Sequence, residues 1–152
     1  MNKLRLILGD QLNINHSWFK ENNSKTTYVL MEVKEETSYV LHHAQKIIAT
    51  FAAMRFFAEQ LQQKGFEVIY FKINDKANEQ SFFQNINKII KEKNIGELQY
   101  LEPDEYRLST ELKKLESIEN IKVESVDTEH FLVPKLYAKD FFSEKKHWRM
   151  EE

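Results

Sequence analysis

The stretch Leu4-Arg5-Leu6-Ile7-Leu8-Gly9-Asp10-Gln11-Leu12 decides the architecture. Its first five residues are apolar except for Arg5, and the run breaks at Gly9-Asp10. A short apolar run closed by a turn pair predicts a strand over residues 4–8, buried on both faces of a parallel sheet. Downstream, Asn13 to Ser17 is polar and leads as a loop into Trp18-Phe19. Thr27-Tyr28-Val29-Leu30-Met31-Glu32-Val33 is again β-branched and apolar, which predicts a second strand.

From residue 38 to residue 64 there is neither Gly nor Pro, and Ile47, Phe51, Met54, Ala58 and Leu61 recur at three- and four-residue spacing. That stripe predicts one long helix stopped by Gly65. Residues 66–73 read as a third strand and residues 82–93, with Phe83, Ile86, Ile89 and Ile90, as the next helix. Gly96 then releases the chain into a fourth strand over 98–101 that ends at Glu102-Pro103. Residues 106–115 fit a further helix, and residues 121–126 alternate like a half-exposed edge strand.

Strands alternating with helices imply a doubly wound, Rossmann-like α/β fold: a five-stranded parallel sheet of order 3-2-1-4-5 flanked by helices. Ligands of such sheets bind beyond the carboxyl ends of the strands. After Asp127 the regularity fails, so residues 1–130 are read as the α/β domain and residues 131–152 as a connector. Phe141, Phe142 and Trp148 in that tail would be costly to leave in water, so they are expected to pack on a further part of the protein or to drive self-association.

The 152 residues, 41% hydrophobic and 30% charged, suit one globular core and not a disordered chain. A net charge of -2 gives no basis for nucleic-acid binding by this chain alone, because phosphate neutralisation needs an excess of Lys and Arg. The absence of cysteine excludes disulfides, thiolate metal sites, Cys nucleophiles and iron–sulfur ligation within these residues. The apolar N-terminal run is too short for a signal peptide or a membrane span. A cytoplasmic location with no membrane partner is therefore expected.

The candidate chemistry lies at the ends of the first two strands. Gly9 would let a ligand approach the backbone, with Asp10 and Gln11 beside it; the competing reading of Asp10 is a cap for the next segment. Glu32, Glu36 and Tyr39 follow the second strand, and Glu36 and Tyr39 share a face of a helix start, placed to hydrogen-bond the edge of a flat heterocycle. The bland alternative is an acidic capping run favoured by the helix dipole. Glu102 could line the same crevice. Adjacent His42 and His43 point about 100° apart on a helix and make a poor metal pair, so an exposed His42 and a partly buried His43 are expected. No glycine-rich phosphate loop and no paired nucleophile and base are present, so this chain alone is not read as catalytic.

Taken in order, Leu6-Ile7-Leu8-Gly9-Asp10-Gln11-Leu12, Glu32-Val33 with Glu36, Ser38-Tyr39-Val40, His42-His43, Lys46-Ile47 and Ala53 to Ala58 resemble the photolyase-related proteins. Gly65 to Val68, Glu102-Pro103 with Glu105-Tyr106-Arg107, and Phe131-Leu132 continue the likeness, which is similar in particular to the prokaryotic iron–sulfur cryptochrome/(6-4) photolyase branch. The resemblance implies an N-terminal antenna domain holding 6,7-dimethyl-8-ribityllumazine. It implies too that residues 131–152 lead toward a C-terminal helical domain, outside this chain, that holds FAD, an iron–sulfur cluster and the damaged DNA. It places the antenna pocket at Gly9, Asp10, Gln11, Glu32, Glu36 and Tyr39, with Ile47 and Ile48 on the following helix. Two other readings remain open: a nucleotide-binding enzyme of related fold, and an assembly domain without a chromophore.

Overall fold

The computed structural model describes residues 1–133 and 135–143. Its sheet is all parallel, in the order β3-β2-β1-β4-β5, formed by β1 (Asn2–Leu6), β2 (Thr26–Met31), β3 (Glu67–Phe71), β4 (Ile95–Leu101) and β5 (Lys122–Val126). The doubly wound α/β expectation and its strand order therefore hold. The helices are α1 (Lys34–Ser38), α2 (Ala44–Gln63), α3 (Phe82–Lys93), α4 (Tyr106–Lys113) and α5 (Lys135–Phe142), with short 3-10 turns at Ser17–Phe19 and Lys114–Ser117.

Alternation along the strands sends side chains into two cores. Leu4, Leu6, Val29, Met31, Leu98 and Tyr100 pack with Ile86, Ile89, Leu108 and Leu112 of α3 and α4. Ile7, Tyr28, Leu30 and Leu101 face the other way, toward Met54, Phe57, Ala58 and Leu61 of α2 and toward Trp18. Every residue of β2 is buried, as expected of a strand covered on both faces. Arg5, on the α2 side, is accommodated within β1 because Nη1 donates to Tyr28 Oη (2.9 Å) and to the Trp18 carbonyl (3.2 Å), Nε donates to Gln99 Oε1 (3.0 Å), and the guanidinium lies over the Trp18 ring at 4.8 Å.

Several local expectations need correction. The helix read over 38–64 begins only at Ala44, as α2; the separate short helix α1 precedes it, and Tyr39 to His43 lie between the two. The break has a cap and not a glycine as its cause: His43 is extended (φ -66°, ψ 132°) and its Nδ1 accepts from Gln45 N at 3.2 Å. The roles of the histidines are reversed, since His43 is exposed while His42 is half-buried and packs edge-on against Tyr39. Before β4 the turn is made by Asn94 in the left-handed region (φ 50°), whereas Gly96 lies inside the strand. Gly65 does stop α2, at φ +85°. β1 and β2 end two residues earlier than read, so Ile7 to Leu8 and Glu32 to Val33 are the first residues beyond the strands.

Tyr137, Phe141 and Phe142 of α5 are exposed. The tail expectation for Trp148 lies outside the described residues. Among the described residues no helix is long and apolar enough to cross a membrane, and no group of three or more His, Asp or Glu is placed to hold a metal ion.

Candidate functional site

At the carboxyl ends of β1, β2 and β4 the chain encloses a cleft of about 230 Å³. One wall is apolar: it is formed by Ile47, Phe51 and Met54 of α2, Met31 at the end of β2 and Val33 just after it, with Phe82 and Leu108 from the first turns of α3 and α4. The mouth is polar and carries Asp10, Glu36, Tyr39, His42, Lys46 and Glu105. The order of the sheet creates this place, because the connections after β1 and β4 leave from adjacent strands and diverge, leaving a gap between them.

Of the residues picked from sequence, Gly9, Asp10, Glu36, Tyr39 and Ile47 line the cleft. Gly9 lies close under α2: a Cβ there would stand 3.0 Å from Met54 Sδ and 3.0 Å from Thr50 Cγ2, so those two side chains would have to shift. The glycine therefore lets the helix that forms the apolar wall approach the end of β1.

Gln11 and Glu32 do not line it. Gln11 is buried, accepts from Leu8 N (3.1 Å) and donates to the carbonyls of Leu101 (3.2 Å) and Glu102 (3.4 Å), which ties the β1 turn to the end of β4. Glu32 is fully buried and every lone pair is answered. Arg55 Nε (2.7 Å) and Tyr70 Oη (2.7 Å) donate to Oε1, and Arg55 Nη2 (2.9 Å) and Ile73 N (2.8 Å) to Oε2. Burial alone would raise this carboxyl, but the donors outweigh it and hold the pKa below the ordinary value. Ile48 is exposed and Glu102 is not part of the lining, where Glu105 takes the place expected of it.

The two mouth carboxylates behave in the opposite way. Burial pushes Asp10 up, with Asp104 and Glu105 adding to it against a backbone donor and His130. Burial likewise raises Glu36; Arg107 opposes the rise, and Glu105 and Asp10 reinforce it. Both groups thus hold a proton more readily than a carboxyl in open water.

Sequence reasoning did not assign roles to His42, Lys46, Glu105, Phe82 or Leu108. These residues come from three separate connections, and their position within a few residues of a strand end or helix start is what places them near the cleft. His16 was likewise read as loop. It is buried, accepts from Trp18 N at 3.1 Å and contacts the Asp127 carbonyl at 3.0 Å, which fastens the β1–β2 connection to the chain after β5.

Residues 5–152 match the family described as deoxyribodipyrimidine photo-lyase-related protein. The chain belongs to that family. Over 133 residues it is 37% identical to a protein of Agrobacterium fabrum (strain C58 / ATCC 33970) named (6-4) photolyase, a span covering 87% of this chain and 26% of that relative. The chain thus corresponds to about a quarter of the length of the photolyase it matches, and the cleft belongs to that quarter.

Proposed function

We propose that this domain is the antenna-chromophore module of a photolyase/cryptochrome-like flavoprotein and that its cleft receives 6,7-dimethyl-8-ribityllumazine. The observation carrying this reading is the pairing, in one cleft, of an apolar wall (Ile47, Phe51, Met54, Phe82) with hydrogen-bonding groups at the mouth (Asp10, Glu36, Tyr39, Lys46). A flat heterocycle bearing a polyol needs that division: the wall removes ring area from water while the mouth answers its N–H and O–H groups. The residues present fit such a group.

When bound, the chromophore would absorb light and pass the excitation to a flavin. The chain's own contribution would be to orient the ring against α2, to exclude water from it and to accept hydrogen bonds at Asp10 and Glu36. FAD, the iron–sulfur cluster and the damaged DNA belong, in this proposal, to a C-terminal helical domain reached through residues 131–152. Light-dependent repair of a (6-4) lesion would be the work of the full-length protein in the cytoplasm. The absence of cysteine agrees with placing the cluster outside these residues.

The nucleotide-enzyme alternative is disfavoured by the three carboxylates at the mouth, Asp10, Glu36 and Glu105, which would repel a phosphate chain. The test is fluorescence titration with ribityllumazine in parallel with ATP. Lumazine should bind, and Asp10→Ala and Glu36→Ala should each weaken it by ~1 to 3 kcal/mol, the cost of losing a hydrogen bond to a buried polar edge. Equal affinity in both variants and wild type would sink the site, and stabilisation by ATP without lumazine binding would favour the alternative.

A further inference from the structure

Arg107, the second residue of α4, does not line the cleft, yet it touches three side chains that do. Nη2 donates to both oxygens of Glu36, at 3.1 and 3.1 Å. Nε donates to Glu105 Oε1 at 2.8 Å and Nη2 to Glu105 Oε2 at 3.3 Å. Its Cζ stands 3.9 Å from the centroid of the Tyr39 ring. One planar cation thereby connects α1 and its C-terminal residue, which belong to the β2–β3 connection, to the start of α4 in the β4–β5 connection.

α1 needs such a connection. It has five residues, buries none of them and has no side-chain cap, so neither propensity nor packing holds it in place. Polar contacts tie it to the rest of the chain: Lys34 N donates to Gln80 Oε1 (3.2 Å), Glu35 Oε2 accepts from Phe82 N (3.2 Å), and Glu36 meets Arg107. The first two fix the helix start. Arg107 alone among these reaches the end that faces the cleft, where Glu36 and Tyr39 stand.

We propose that Arg107 is the positioning residue of the cleft: it holds Glu36 and Tyr39 against α4 in the arrangement that receives a ligand. This rests on the cleft being a ligand site. A guanidinium suits the task because it can stack on a ring and donate within its own plane at once, which an ammonium cannot do. Glu36 also faces Asp10 after β1 and Glu105 before α4, while His42 and Lys46 line the same mouth and Asp104 and His130 act on Asp10. Both carboxylates nearest Glu36 push its pKa upward and Arg107 opposes them, so removing Arg107 should leave Glu36 titrating at higher pH.

The decisive experiment begins without ligand. Carboxyl-detected NMR titration and amide hydrogen exchange are compared for wild type, Arg107→Met and Arg107→Lys. In Arg107→Met the Glu36 titration should move up, and protection should fall across residues 34–43 and stay unchanged in β1 and β2. Arg107→Lys should restore most of the titration but little of the protection, since it keeps the charge and loses the stack. An unmoved Glu36 titration with intact protection in both variants overturns the proposal. Should the Met variant fail to fold, the Lys variant decides it by the same two readouts.

Titration with 6,7-dimethyl-8-ribityllumazine follows. Arg107→Met should bind about tenfold or more weakly, the scale of a lost charge-assisted contact. The pH below which binding fades should rise in Arg107→Met relative to wild type, but not in Glu36→Gln/Arg107→Met relative to Glu36→Gln; a rise in both pairs would place the effect elsewhere than on Glu36 and overturn the assignment. If wild type takes no lumazine, the antenna reading falls, and the ligand-free titration still decides the role of Arg107.

Discussion

Glu32 and Glu36 stand four residues apart after the same strand, and the fold uses them for opposite purposes. Glu32 receives four hydrogen bonds, from Arg55, Tyr70 and Ile73, and its pKa is held down. Glu36 meets a single cation, is crowded by Asp10 and Glu105, and its pKa is pushed up. A carboxylate with every lone pair answered fastens structure, here α2 to the ends of β2 and β3. One with acceptor capacity to spare, at the mouth of an apolar cleft, is available to a ligand.

Deleting each group should break the comparison most openly. Glu32→Ala leaves Tyr70 Oη and Ile73 N without an acceptor and is expected to cost about 3 kcal/mol in urea unfolding; Arg55, which is part-exposed, can turn to water and so moderates the loss. Asp10→Asn, which keeps the side chain's size at the open mouth of the cleft, should leave stability within about 0.5 kcal/mol of wild type. Equal destabilisation by the two substitutions would mean that the mouth is as structural as the anchor. Gln11→Ala belongs with the anchor: it orphans the buried Leu8 N–H and should cost ~1 to 3 kcal/mol, with the linear unfolding slope unchanged.

Acid should separate Glu32 from Asp10, a carboxylate at the mouth like Glu36, by sign. The folded pKa of Glu32 lies below the ordinary value of 4.5, so its contribution is complete above that pH and is lost as pH falls through the folded value. For Asp10 the folded pKa lies above the ordinary 3.8, so its contribution is complete below that pH and is lost as pH rises through the folded value. Thermal midpoints measured from pH 3 to pH 7 should show Glu32→Gln flattening the acid limb, whereas any advantage of Asp10→Asn over wild type should be largest near neutrality and vanish below about pH 3.8. The same sign for both would contradict the assignment of burial as the cause at the mouth.

The strands were legible because a strand covered on both faces is an apolar run, as in Tyr28 to Met31. The span of α3 was legible from its apolar spacing and the turn after it. The break at Tyr39 to His43 was not, because nothing there forbids a helix: the interruption comes from a histidine cap and from Tyr39 stacking on an arginine distant in sequence. The end of a strand tells which residues stand near a cleft, and so found Gly9, Asp10, Glu36 and Tyr39. It does not tell which way each side chain turns, and so it also picked Gln11 and Glu32, which turn toward β4 and β3. Arg107 entered only through the likeness of Glu105-Tyr106-Arg107, and nothing local announced its role, since Glu36 lies 71 residues away.

The smallest effect expected concerns the far end of the chain. Tyr137 and Phe141 of α5 stack with ring centroids 6.1 Å apart and both are exposed, unlike the aromatic cluster of Phe19, Tyr28 and Phe66 that fills the α2 side of the sheet. Stability comes from rings buried on folding, so Tyr137→Ser with Phe141→Ser should shift the unfolding free energy by no more than about 0.5 kcal/mol. Exposed rings on one helix face favour association, and sedimentation velocity of wild type should therefore show an apparent mass that rises with concentration and that the double substitution lowers. Hydrogen exchange supplies the second readout: amides of residues 135–142 should exchange quickly in dilute protein and slow as concentration rises, while those of β1 and β2 stay protected throughout. A chain that remains monomeric while α5 is fully protected would mean that the helix is already packed within its own domain, and would remove the ground for reading residues 131–152 as a connector to another part of the protein.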